Sequence, residues 1–80
     1  MPHDPPDDQQ WLLRERQRIG KHIRSTREEH DLTQEQVFLA APMNRSHYQD
    51  IEAGTANPSL NTLLRIARAI GVPISDLLGD

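Results

Sequence analysis

The 80-residue chain has no cysteine, which removes a disulfide framework and a thiolate zinc site as means of holding so small a domain together. Aromatic residues are scarce, one Trp, one Tyr and one Phe, and the apolar residues are mostly Leu, Ile, Ala and Val, which suits a helical core better than a sheet. No run of 18 apolar residues occurs, and no basic segment near the N-terminus leads into an apolar one. Membrane spans and secretion signals therefore find no support, and a soluble, cytoplasmic protein is expected. A chain of this length has room for a single core.

An excess of positive charge is also missing. The formal net charge is −3, whereas basic surface supplies most of the non-specific attraction of a protein to phosphate. The distribution is uneven, however. All nine Lys and Arg residues lie between Arg14 and Arg68 among seven acids, which leaves that stretch at +2, while Asp4, Asp7, Asp8, Asp76 and Asp80 sit at the two ends.

Three prolines in the first six residues cannot continue a helix, and the segment has little apolar material to bury, so residues 1–7 are expected to form a disordered leader to a domain over residues 8–80. Asp7 or Asp8 can cap a first helix that places Leu12, Ile19 and Ile23 near one face and runs to about His30, with Gly20 as its weak point. For Trp11, Leu12 and Leu13 two readings are open: packing onto the chain's own C-terminal residues, or a dimer contact. Thr33-Gln34-Glu35-Gln36 has the T-x-x-Q pattern of a capping box, so a second helix starts at Gln34, continues through Val37, Phe38 and Ala41, and ends near Pro42. Asn44 caps a third helix, over about residues 45–53, with Tyr48, Ile51 and Glu52 on one face and Gly54 as a left-handed stop. Ser59 opens a fourth, in which Leu60, Leu63, Leu64, Ala67 and Ile70 recur at helical spacing up to Gly71. Pro73 starts a short fifth helix through Ile74, Leu77 and Leu78, closed by Gly79. The expected fold is all-α, five helices with no strand.

Two short helices joined through Pro42 and Met43, the second with apolar residues inward and Arg45, Ser46 and Gln49 outward, have the layout of a helix-turn-helix, whose second helix enters the major groove. Leu32-Thr33-Gln34-Glu35-Gln36-Val37, then the run from Asn44 to Gly54, then Asn57-Pro58-Ser59-Leu60 with Leu63, Leu64, Ile66 and Ala67, then Gly71-Val72-Pro73 together resemble the Cro-repressor-like, or xenobiotic-response-element (XRE), family of helix-turn-helix regulators. The likeness covers roughly residues 19–78. It implies a lambda-repressor-like domain that binds double-stranded DNA, with helix 3 in the major groove and helix 2 across the backbone. Gln34 matches the family glutamine that contacts phosphate and braces the recognition helix. Asn44, Arg45 and Ser46 match base-reading positions. The Arg45 guanidinium can donate two hydrogen bonds to guanine O6 and N7, and Gln49 can pair with adenine one turn later. Asp50 also matches a reader position, yet a carboxylate there repels phosphate unless it accepts from cytosine N4. Arg27 and Glu52 match a structural ion pair, and Thr55 and Asn57 match a loop that meets phosphate.

In two places the sequence departs from the family. Phe38 stands where Ala is usual, at a close contact between helices 2 and 3, and Pro42 where Gly is usual in the turn. A phenyl ring is expected to splay the two helices unless its neighbours shrink, since overpacking costs about 1–3 kcal/mol. Proline lacks the N–H and cannot take positive φ, so the turn must follow another route than the glycine one.

Enzymatic activity is not expected, because a small helical domain offers little concavity and Ser46 and His47, as sequence neighbours on a helix, diverge. His22 and His30 lack a partnering Cys, and neither a metal, a cofactor nor a small-molecule ligand is indicated. The competing reading is a protein-binding module of the same fold, such as an antitoxin or a regulator's partner; acidic or apolar surface around Gln34, Arg45 and the helix 3–4 loop would favour it, and a basic stripe would favour DNA. The DNA reading implies a homodimer on a palindromic operator, using the Trp11 region or an exposed Leu77 and Leu78.

Overall fold

A computed structural model describes residues 8–79, so the expected leader lies outside the described residues. Five helices follow in order: α1 Asp8–Glu29, α2 Gln34–Ala40, α3 Arg45–Ala53, α4 Leu60–Ile70 and α5 Ser75–Leu78, with no strand among the described residues. The long α1 packs on α3 and α5, and α2 packs on α3 and α4. Ile23, Val37, Tyr48, Ile66 and Leu77 are the fully buried large side chains at the centre.

Local chemistry sets each helix start. The capping box at α2 is complete: the Gln36 N–H donates to Thr33 Oγ1 at 3.1 Å and the Thr33 N–H to Gln36 Oε1 at 2.8 Å, which satisfies two otherwise orphaned donors. Asn44 Oδ1 accepts from the His47 N–H at 2.8 Å and Ser59 Oγ from the Thr62 N–H at 3.1 Å. Gly54 (φ 81°) and Gly71 (φ 94°) end α3 and α4 in the left-handed region, where the absence of a Cβ removes the steric penalty. The turn at Pro42 closes without a glycine: Ala41 stays right-handed at φ −74°, ψ −3°, and the Met43 N–H donates to the Phe38 carbonyl at 2.8 Å. Asp31, just beyond α1, is left-handed at φ 56°, an arrangement the sequence pattern did not suggest.

Several expectations are corrected by tertiary packing. α1 is unbroken at Gly20. There it passes so close to α3 that a Cβ at Gly20 would stand 2.4 Å from the Glu52 carbonyl oxygen and 2.7 Å from that of Ile51. On α4 the core stripe is Leu63, Ile66, Ala67 and Ile70, whereas Leu60 and Leu64 are 63% and 44% exposed. The last helix begins at Ser75, and Leu77 is buried, not exposed, with Leu78 half-buried. Trp11 and Leu13 are exposed and Leu12 is half-buried. Phe38 is accommodated in the core, with its ring centroid 6.3 Å from that of Tyr48 at a tilt of 49°, and Ala41 and Ala67 are the small residues in the same cluster. No helix among the described residues is long and apolar enough to cross a membrane.

Candidate nucleic-acid interface

The outer face of α3 is organised from behind by one carboxylate. Glu52, near the end of α3, has a side chain only 5% exposed, and its two oxygens accept from three elements. Arg27 of α1 donates through Nε to Oε2 at 2.8 Å and through Nη2 to Oε1 at 3.2 Å; Gln34 Nε2 of α2 donates to Oε1 at 3.0 Å; and the Tyr48 hydroxyl donates to Oε2. Arg27 Nη1 also donates to the Leu32 carbonyl at 2.9 Å, which ties in the loop between α1 and α2. Burial by itself raises the pKa of Glu52, but the bonds from Arg27, Tyr48 and Gln34 outweigh it and hold the carboxyl below its ordinary value. Burial, and then the bond to the Glu52 carboxylate, keep the Tyr48 hydroxyl protonated well above the usual phenol range. The bond to Glu52 raises the pKa of Arg27. The network therefore carries a fixed carboxylate and a fixed guanidinium at neutral pH, and it sets where the start of α2 and the outer face of α3 lie relative to each other.

On that outer face Arg45, Ser46 and Gln49 are exposed, while Tyr48, Ile51 and Glu52 are buried on the opposite side of α3. Gln34 is half-buried and bridges the two helices, because its Oε1 also accepts from Gln49 Nε2, at 3.4 Å. Asn44 is exposed and keeps its amide nitrogen free while its oxygen caps α3. The structure thus brings Gln34, Asn44, Arg45, Ser46 and Gln49 onto one surface. Thr55 and Asn57 lie beyond the other end of α3, about 13 Å along a nine-residue helix. Both are exposed. The Thr55 N–H donates to the Asp50 carbonyl at 2.9 Å, and Asn57 borders a small apolar cavity shared with Arg16 of α1. Arg16 has its Nε buried without a hydrogen-bond partner.

Two residues of this surface were not singled out as site residues from the sequence. Glu35 stands 3.6 Å from Arg45 Nη2, and the Phe38 ring lies under the Arg45 guanidinium at 5.2 Å from its centroid. A pairing of α2 with the first residue of α3 depends on how the turn folds; the signal available was the unusual ring at position 38. Between Thr33 and Ser59 Arg45 is the sole Lys or Arg, against exposed Glu35 and Asp50. Among the described residues no group of three or more His, Cys, Asp or Glu side chains is placed to hold a metal ion.

Two helices joined by a tight turn, the second showing a polar face to solvent and braced behind by a buried ion pair, define a helix-turn-helix domain. Residues 23–77 match the family model described as helix-turn-helix, and the chain belongs to that family, as a member of its XRE-type branch. It is 40% identical over 62 residues to the immunity repressor protein of Bacillus phage phi105, an alignment covering 78% of this chain and 43% of that protein. It is likewise 40% identical over 62 residues to the cryptic phage CTXphi transcriptional repressor RstR of Vibrio cholerae, covering 78% of this chain and 56% of that one. The chain thus spans about half the length of these two relatives. Its fold is similar to the crystal structure of the restriction-modification controller protein C.AhdI from Aeromonas hydrophila, with a TM-score of 0.75 and 27% identity, over 78% of this chain and 94% of that one.

Proposed function

We propose that the chain is a sequence-specific, double-stranded DNA-binding transcriptional regulator without catalytic activity, acting in the cytoplasm as a homodimer on a palindromic operator. The observation that carries this reading is the outer face of α3, where Arg45, Ser46 and Gln49 stand together in solvent beside Asn44 and Gln34. With α3 in the major groove, Arg45 reads guanine, Gln49 pairs with adenine, and Asn44 and Ser46 contact base edges at the N-terminal end of the helix. Gln34 holds a phosphate from α2, while the exposed side chains of Thr55 and Asn57 hold one beyond the other end of α3. Two copies with half-sites about 34 Å apart place both recognition helices in successive major grooves. The relatives named as repressors support the regulatory part of this reading.

A second reading, a protein-binding module of the same fold, is favoured by one observation: the face offers a single cation, Arg45, beside Glu35 and Asp50, whereas a DNA-binding surface ordinarily carries a basic stripe. Selection of bound sequences from a random duplex DNA pool at near-physiological salt separates the two. Enrichment of a palindrome supports the operator-binding dimer. A folded protein that enriches nothing rejects it in favour of the protein-binding module.

A further inference from the structure

The guanidinium of Arg45 does not hang free. It lies over the Phe38 ring, 5.2 Å from the centroid, with Nη2 3.6 Å from a Glu35 oxygen. Phe38 is itself fixed: it is buried in the core and leans on Tyr48, whose hydroxyl is anchored on Glu52. A continuous set of contacts therefore runs from the buried ion pair to the first side chain of α3. Each Arg45 contact suits a base-reading arginine. An aromatic ring attracts a guanidinium through its charge and takes up none of its donors in a bond to oxygen, so the N–H groups that guanine O6 and N7 require stay available. Glu35 sits within ion-pair distance but beyond hydrogen-bond distance, so it biases the rotamer without consuming a donor. The pair is well exposed, 62% and 64% for the two side chains, which limits its restraint to at most about fivefold; the ring beneath supplies the fixed surface.

We propose that Phe38 and Glu35 are positioning residues for Arg45, and that this clamp, built on a ring where the family usually has alanine, sets how sharply the chain discriminates the base that Arg45 reads. The inference rests on the DNA-binding reading above. Glu35 then has two opposed effects: it orders Arg45, and it adds a negative charge beside the phosphate backbone. Losing it separates discrimination from affinity, which damage to the fold does not do.

The test uses the selected operator and versions altered at the guanine assigned to Arg45. Glu35→Gln, a change at an exposed site, is expected to lower the preference for the correct base by about two- to fivefold, the range of a surface cation–π or ion-pair restraint, while raising affinity for mixed-sequence duplex. Phe38→Leu keeps the site apolar and is expected to lower the same preference, with Phe38→Tyr restoring it. In an Arg45→Ala background neither change should have any further effect on that base. If Arg45→Ala loses the preference while Glu35→Gln and a folded Phe38→Leu keep it, the clamp is refuted and the DNA reading stands. Should Phe38→Leu fail to fold, Glu35→Gln decides alone. A wild-type chain with no base preference removes both claims.

Discussion

Replacing Glu52 by Gln is nearly isosteric and removes one negative charge from the point where α1, α2 and α3 meet. Four donor groups now converge on its two oxygens, from Arg27 twice, Gln34 and Tyr48. An amide in the same place turns one of those oxygens into a donor facing donors, and it leaves the Arg27 guanidinium, whose side chain is 10% exposed, without a counter-ion. Breaking a buried pair from one side costs about 3–5 kcal/mol, because the remaining charge stays desolvated. Domains of this kind hold about 5–15 kcal/mol in all, so the variant should unfold at markedly lower urea, read by circular dichroism with an unchanged slope. A combined Arg27→Met, Tyr48→Phe, Glu52→Leu variant removes both charges and the hydroxyl, and is expected within about 1 kcal/mol of the parent or above it. A loss below about 1 kcal/mol for Glu52→Gln alone would refute the view that this carboxylate organises the three helices.

The depressed Glu52 pKa makes stability pH-dependent. The contribution is full above the ordinary carboxyl pKa of about 4.3 and disappears as pH falls through the lower folded value, so urea midpoints of the parent should drop below pH 4.5 or so more steeply than those of Glu52→Gln. Gly20→Ala should be destabilising by about 1–3 kcal/mol despite alanine's helix preference of about 1 kcal/mol, because the new methyl meets the Ile51 and Glu52 carbonyls; a thermal melt at or above the parent value contradicts the close approach. Asp31→Gly should raise stability by up to about 1 kcal/mol by relieving a left-handed non-glycine residue, again read from the melt. Arg45→Ala should relax sequence preference at one operator position, whereas Gln34→Ala should weaken binding across all sequences, as fluorescence titration against a panel of substituted duplexes would show.

Helix starts and stops were the most legible part of the sequence, since Thr33, Asn44, Ser59, Gly54 and Gly71 act on their own neighbours and need no tertiary contact to be read. What lies inside was less so. α4 carries apolar residues on more than one stripe, so spacing alone placed Leu60 and Leu64 inward, whereas in the fold α4 packs on α2 and α5 with Ile66 fully buried. Leu77 was expected outside because a four-residue helix has no face that its own pattern can define; its burial depends on the contact between α1 and α5. Gly20 read as a flaw in α1 and is in fact where α3 approaches. The exposed polar set on α3 followed from Tyr48 and Ile51 facing inward, whereas the partners that hold Arg45, seven and ten residues earlier in the chain, are brought to it only by the turn at Pro42.

Whether the chain meets DNA through the outer face of α3 can be read by amide chemical-shift mapping, titrating isotope-labelled protein with the selected duplex at near-physiological salt. Perturbations clustered at Gln34, Asn44 to Gln49 and Gly54 to Asn57 are the expected result. Shifts centred instead on the exposed Leu60 and Leu64 side of α4, or none at saturating duplex, would contradict the proposed DNA contact.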